Sequence, residues 1–406
     1  MKQEMENINV ESFNKLKNLL LEEYKDVKDE DVQYSYCPYR ICPVGAHIDH
    51  QKGIVTGFAL DRGVEIAYIP SKSNFYEVTS LNFKGRKGGS LYDIPQKSDD
   101  WADYIRGTIK ILRDEFDIKK GVFAIIKGSL PIGGLSSSAS LIISFMRAVC
   151  NVNGLQLSKK DVIKLARKVE NEYIGVKVGI LDQSCELYSR KDNLLYLDTK
   201  TENYELYEKP KNMKDFKIAV IFSGITRTLK NTSYNMRVDE LKSASYALKA
   251  FAGIECGSFS DSVLRDVEKE VFLKYFDKLP KNWYKRAKHY YDETDRVKRA
   301  VDAWKEGNIE KFAKISSESG RSSIYNYEAG SNELKEICNI INSTDGVYGG
   351  RFSGAGFKGC CIAFVDPTKE NKIREEITNR YLKKFPKYNG IFEIFFCDIS
   401  DGIIEF

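Results

Sequence analysis

Pro131-Ile132-Gly133-Gly134-Leu135-Ser136-Ser137-Ser138-Ala139 is the stretch from which the rest of this chain can be read. An apolar, partly β-branched run, Gly121 to Lys127, precedes it, and an almost unbroken apolar run, Ala139 to Val149, follows. The pattern predicts a strand, a loop and the start of a buried helix. Gly133 and Gly134 let the backbone approach a ligand with no side chain in the way. Three hydroxyls and the unpaired N–H groups of a helix start supply donors, so the loop reads as a phosphate cradle. It lacks the Gly-Lys-Ser/Thr ending of a Walker A loop. Taken alone, the same residues also fit a plain helix cap with spare serines.

Three further segments bear on that choice. Pro38-Tyr39-Arg40-Ile41-Cys42-Pro43-Val44-Gly45-Ala46-His47-Ile48-Asp49-His50 sets a guanidinium, two imidazoles and a carboxylate among Pro and Gly, a loop able to offer donors and acceptors to a polyol. Glu170-Asn171-Glu172-Tyr173-Ile174-Gly175-Val176-Lys177-Val178-Gly179-Ile180-Leu181-Asp182-Gln183 flanks a Gly-punctuated apolar stretch with carboxylates and marks Asp182 as a site acid. Gly349-Gly350-Arg351-Phe352-Ser353-Gly354-Ala355-Gly356-Phe357-Lys358-Gly359-Cys360-Cys361 is a second glycine-rich loop, suited to close over phosphates from the other side.

With 406 residues the chain has room for two ordinary domains or one elaborate α+β unit. Its 63 Lys and Arg against 58 Asp and Glu give a net charge of +5 that is spread along the chain, which does not indicate nucleic acid and suits anionic small ligands. Nine cysteines, an odd number with no short disulfide framework, read as reduced thiols of a cytoplasmic protein. Three histidines and no Cys-x-x-Cys argue against a structural zinc site. Met1 to Glu11 is polar and no apolar run has membrane length, so no membrane is expected, nor an obligate protein partner.

Along the chain, Ser12 to Tyr24 has helical spacing, and Ile54 to Leu60, Val64 to Ile69 and Tyr76 to Phe83 read as successive strands. Gly85 to Gly89 reads as turn, and a helix is expected from about Asp99 to Phe116. Ser158-Lys159-Lys160-Asp161 opens a helix whose Val162, Ala166, Val169 and Tyr173 share one face, with Glu170 beside that buried stripe. After a strand near Asn193 to Asp198, the charged, irregular Tyr204 to Asp215 is the expected boundary. Strand Phe216 to Ser223, a mostly helical Lys230 to Asn342, strand Cys361 to Val365, helix Pro367 to Lys384 and strand Gly390 to Cys397 complete an α+β pattern.

These segments stand in one order with Trp101-Ala102-Asp103-Tyr104-Ile105-Arg106-Gly107 and Ser233-Tyr234-Asn235-Met236-Arg237. From about Tyr36 to the end the chain resembles the GHMP small-molecule kinases, in particular the galactokinase branch. The resemblance implies a two-domain α+β fold with a ribosomal-S5-domain-2-like first half (residues 1–205), an α+β second half (206–406) and an active site between them. It implies ATP and Mg2+ as cofactors and a small sugar or sugar acid as partner. Arg40 and Asp182 match the family's catalytic pair: Asp182 orients or deprotonates the sugar hydroxyl and Arg40 stabilises charge on the transferred group. Gly133, Gly134, Leu135, Ser136, Ser137, Ser138 and Ala139 match its ATP loop, and Glu170 its metal carboxylate. The metal hydroxyl is Ser138 or Ser137, and Glu172 is a solvated or structural acid. His47, Asp49 and Tyr234 match sugar-binding residues; Trp101, Leu81, Asn82 and Phe83 border the adenine or are simply core.

Within the branch the sugar loop is most like that of galacturonokinases. Ordinary galactokinases have Gly, Asn and Glu where Tyr39, Cys42 and Ala46 stand, and often Tyr and Asn in place of His50 and Gln51. The glutamate helps to hold the hydroxyl on carbon six of galactose. Against a uronic acid it would set two carboxylates roughly 4 Å apart, a repulsion of about 1 kcal/mol in water and about 4 at an effective dielectric of 20. Ala46 removes that repulsion and opens room. A cation or donor is then expected opposite the carboxylate, with Arg227, Lys177 and the Tyr39 hydroxyl as unranked candidates. The implied activity is a galacturonate 1-kinase, with galactose as the alternative substrate and a non-catalytic sugar sensor as the alternative class.

Overall fold

The computed structural model describes residues 10–130, 133–225 and 232–405. In chain order its strands are β1 (Gln33–Ile41), β2 (Ile54–Pro70), β3 (Phe75–Ser80), β4 (Arg86–Ser90), β5 (Val122–Gly128), β6 (Asn193–Asp198), β7 (Asn203–Glu208), β8 (Lys217–Phe222), β9 (Val347–Phe352), β10 (Cys360–Val365), β11 (Glu393–Cys397), β12 (Ile399–Ser400) and β13 (Ile404–Glu405). Its helices are α1 (Val10–Glu23), α2 (Asp103–Glu115), α3 (Ser137–Val152), α4 (Lys159–Lys168), α5 (Leu181–Tyr188), α6 (Thr232–Phe251), α7 (Lys269–Tyr275), α8 (Lys281–Lys305), α9 (Ile309–Tyr325), α10 (Asn332–Ile341) and α11 (Glu370–Lys384).

The larger sheet runs β13-β1-β2-β5-β3-β4, with β6 and β12 also on β2 and β7 on β6; the smaller runs β11-β8-β10-β9. α3 is apolar on most sides because it is covered on most sides: it packs on β1, β2, α2 and α4, burying Ile142, Ile143, Phe145, Met146 and Val149. Each such side chain contributes about 1.5–3 kcal/mol of burial. α1 instead has one apolar stripe, and lays Leu16 and Leu20 on Tyr34, Ala67, Ile69 and Ile125. α8 and α9 pack together, with α9 against β9.

Several sequence expectations change. Pro38 to Ile41, expected as part of a loop, is the end of strand β1. The two strands expected over 54–60 and 64–69 are one strand of seventeen residues, β2. Asp61-Arg62-Gly63 looked like a break, but the Asp61 N–H donates to the Asp398 carbonyl and the Gly63 N–H to Ser129 Oγ, so the backbone stays satisfied and extended. Gly85 to Gly89 falls largely within β4, and Tyr204 to Glu208 within β7; both are outer strands, whose polar residues hide the alternation that marks a half-buried strand. Gly349 and Gly350 belong to β9 rather than to a loop: a Cβ there would stand 2.4 Å from the Ala313 carbonyl oxygen and 2.2 Å from that of Ile362.

β12 and β13 return to the first sheet, on β2 and β1. A division near residue 205 stands as a proposal, and residues 399–405 cross back over it.

Candidate active site

β1 is irregular between Pro38 and Arg40, where its register with β2 shifts. Such bulges re-aim side chains beside active sites. The Arg40 N–H donates to the Leu135 carbonyl (3.2 Å), tying this strand to the phosphate loop. Its Nε donates to Asp182 Oδ1 at 2.8 Å. Asp182 stands in the first turn of α5, and its other oxygen accepts the Ser136 hydroxyl. Burial works against charge on Arg40, yet Asp182, through its charge and hydrogen bond, outweighs it and raises the guanidinium pKa. Arg40 Nη1 is buried without a protein partner.

α4 opens on the expected Ser158/Asp161 capping box and continues into a π-helical turn, Val169–Ile174. Wider turns of this kind are frequent at functional sites. Here the turn carries Glu170, which is 5% exposed. Glu170 accepts from Ser138 Oγ at 3.0 Å and from Gln183 Nε2 at 2.6 Å. Burial, and then the charge of Asp182, push its carboxyl up to about 8. Of the two serines left open by the sequence, the hydroxyl beside this carboxylate is that of Ser138. One hydroxyl and one buried carboxylate short of positive charge fit a hard divalent cation that takes its remaining ligands from phosphates and water. Glu172 is exposed, 4.0 Å from Lys168.

Ala46 and His47 form another wall of the same cavity. His47 has a left-handed backbone (φ 65°), stacks on Tyr327 at 4.3 Å and donates from Nε2 to the Gly354 carbonyl at 3.0 Å. A carbonyl only accepts, so Nε2 carries the proton. Nδ1, buried and without a protein partner, is left as an acceptor. Burial, with Arg351 nearby, holds His47 well below its ordinary pKa. Asp49 lies against Gly179, where a Cβ would stand 2.3 Å from Asp49 Oδ2. Burial and the Asp182 charge push its carboxyl up to about 6. Tyr234 borders the cavity at 8% exposure.

The two glycine-rich loops touch backbone to backbone. A Cβ on Gly133 would stand 2.8 Å from Gly359 Cα, and one on Gly354 would stand 2.8 Å from Gly134 Cα. No residue but glycine fits either crossing. Gly134, Ser136 and Ser138 face the cavity, Leu135 and Ala139 are buried core, Ser137 is half-buried, and Pro131 and Ile132 lie outside the described residues.

Family models for the GHMP kinases N terminal domain and the GHMP kinases C terminal match residues 103–190 and 299–384. The chain is 36% identical over 397 residues to the galacturonokinase of Arabidopsis thaliana, covering 92% of its own length and 93% of that relative. The chain belongs to the GHMP kinase family. This GHMP kinase is also 32% identical to the galactokinase of Thermosipho africanus, over 91% of its length and 98% of that relative. The crystal structure of Lactococcus lactis galactokinase complexed with galactose matches it with a TM-score of 0.85 at 27% identity, covering 96% of this chain and 99% of that one. The protein is therefore a sugar kinase of the galactokinase and galacturonokinase type, with the two-domain α+β fold of its family and ATP as phosphoryl donor. Among the described residues no helix is long and apolar enough to cross a membrane.

The GHMP kinase brings Arg40, Ala46, His47, Asp49, Gly134, Ser136, Ser138, Glu170, Asp182 and Tyr234 around one cavity. Not all expected residues reach it. Lys177 is exposed and paired with Asp239 at 2.6 Å. Tyr39 is 1% exposed with its hydroxyl toward Gly128, and Arg227 lies outside the described residues. Gln51 is a structural residue whose side chain accepts the Leu264 N–H at 3.0 Å. His50 packs against Tyr234 and Tyr327. Phe83 and Trp101 stack 6.1 Å apart, away from the cavity lining. Sequence reasoning missed Tyr104 and Arg351, although both lie in motifs it quoted.

Proposed function

We propose that this sugar kinase transfers the γ-phosphoryl group of ATP to the anomeric hydroxyl of D-galacturonate, giving galacturonate 1-phosphate and ADP. One observation carries this reading: the cavity wall beside His47 presents the methyl group of Ala46, where the galactokinase branch has a carboxylate. The similarity to a galacturonokinase supports it.

Asp182, paired with Arg40 at 2.8 Å, accepts the proton of the attacking hydroxyl or holds that hydroxyl in line. A bond forms from the anomeric oxygen to the γ-phosphorus as the bond from that phosphorus to the β–γ bridging oxygen breaks. Arg40, with Nη1 free of protein partners, stabilises the charge on the phosphoryl oxygens. Ser138 and Glu170 would hold Mg2+, which when bound neutralises phosphate charge. The loops around Gly133 and Gly359 cradle the phosphates. Sugar hydroxyls meet His47 Nδ1 as acceptor, the Asp49 carboxylate and Tyr234.

D-galactose is the second reading, favoured by the likeness to galactose-bound galactokinase. A sensor that never turns over has no use for the Arg40–Asp182 pair. The test is ADP release by the purified protein with galacturonate, glucuronate, galactose and N-acetylgalactosamine. Galacturonate is expected to give the highest kcat/KM; a higher value with galactose overturns the proposal.

A further inference from the structure

Arg351, at the end of β9, is 1% exposed and yet borders the cavity together with Cys42, Ala46 and His47. Neutral oxygens hold it: Nε donates to the Phe352 carbonyl at 3.0 Å, Nη2 to Ser323 Oγ at 2.9 Å and Nη1 to Ser319 Oγ. Its one paired carboxylate among the described residues is Glu293, at 3.8 Å. That carboxylate is already engaged more closely. Glu293 Oε2 accepts from Arg296 Nε at 2.7 Å, and Oε1 from the Gly45 N–H at 2.7 Å and from the Ser319 hydroxyl.

Two guanidinium ions thus share one carboxylate. The titratable neighbours add no negative charge. Burial holds His47 and His289 in their neutral forms and pushes the Cys42 thiol up to about 12. The cluster carries a net positive charge where it meets the cavity, and a buried cation with an incomplete counter-charge is costly. Each terminal nitrogen of Arg351 has used one of its two hydrogens on a serine. The remaining pair matches the two oxygens of a carboxylate.

We infer that Arg351 is the specificity-determining residue that receives the C6 carboxylate of the substrate. The substrate then supplies the negative charge that the protein withholds from this wall. The inference rests on the galacturonate reading above, and adds a residue to which the sequence reading gave no separate role.

The test is steady-state kinetics of the full chain with saturating ATP and varied galacturonate or galactose. Arg351→Gln is expected to raise KM for galacturonate by about 10-fold to 100-fold, with KM for galactose changed by less than about 3-fold and kcat retained. Arg351→Lys, which keeps the charge, is expected to recover part of the loss. Because a buried arginine also supports the fold, Glu293→Gln is the second variant. It keeps an acceptor for the Gly45 N–H and the Ser319 hydroxyl and removes the competing charge together with the Arg296 Nε bond, so in the folded variant KM for galacturonate should fall relative to that for galactose. If Arg351→Gln does not fold, the KM ratio in Glu293→Gln decides alone. Wild-type preference for galactose would overturn the galacturonate reading together with this inference. Wild-type preference for galacturonate, with equal losses on both sugars in Arg351→Gln and an unchanged ratio in Glu293→Gln, overturns the role of Arg351 alone.

Discussion

Arg40 and Arg351 border the same cavity and are both almost wholly buried, but they keep different company. Arg40 has a carboxylate to itself, Asp182 at 2.8 Å, while Arg351 stands 3.8 Å from a carboxylate that Arg296 holds more closely. One end of the cavity is balanced by the protein and the other is not. The balanced end suits chemistry common to every sugar kinase of this type, since the nucleophile and the phosphoryl group bring their own charges whichever sugar is bound. The unbalanced end suits discrimination, because an anionic group on the substrate is rewarded there and a hydroxyl is not. Division of labour between the two ends gives the comparison its testable content.

The largest effect is expected at the balanced end. Asp182→Asn should lower turnover by about 10² to 10⁴ while ATP binding, measured by calorimetry, stays near normal. Near-normal turnover would make the Arg40–Asp182 pair a structural ion pair and remove the contrast. Next comes the sugar wall, where Ala46→Glu should cut activity on galacturonate by about 10-fold to 1000-fold through like-charge repulsion. Activity on galactose should fall less, or rise. A folded variant that loses both equally would show that this wall does not read carbon six.

A smaller change is expected from Glu170→Ala. The Mg2+ concentration for half-maximal rate should rise by about 10-fold, equivalent to about 1.4 kcal/mol of binding. An unchanged magnesium titration would leave Glu170 outside the metal site. The smallest effect concerns stability. His289 donates from Nε2 to the Ala46 carbonyl, and burial lowers its pKa to about 4. The unfolded chain, titrating near 6.5, takes up this proton first as pH falls. The stabilisation is therefore complete above pH 6.5 and is lost between about 6.5 and about 4, at most about 3 kcal/mol. Melting temperatures measured across that window should fall steeply in the wild type and less steeply in His289→Gln. Equal slopes would show that other groups govern acid unfolding.

What could be read in the sequence was what lies close together in it. Arg40, Glu170 and Asp182 each sit inside a short motif that resembles the family's, from which their roles were expected, and the structure brings them around one cavity. The company kept by Arg351 was not legible, because Glu293 and Ser319 come from α8 and α9, far along the chain. The π-helical turn under Glu170 left no mark either: the apolar stripe of α4 continues through Val169 into Tyr173 as though the helix were regular. Ser136 could be assigned to phosphate by type, but only folding brings α5 close enough for its hydroxyl to reach Asp182. Among the strands that escaped notice, β4 and β7 lie at the margins of the larger sheet, where burial imposes little pattern.

The short strands at the end of the chain matter for anyone who wishes to work with less than the whole molecule. β13 covers the outer side of β1 at Ser35 and Tyr36, and β12 caps β2 at Ala59 and Leu60. A fragment cut after residue 205 would lose both covers and present bare N–H and C=O groups along the strand that bears Arg40. Uncovered edges of this kind recruit other chains into the sheet. Such a fragment should aggregate unless residues 398–405 are grafted back onto it, so the two halves of this kinase are better separated by circular permutation than by truncation.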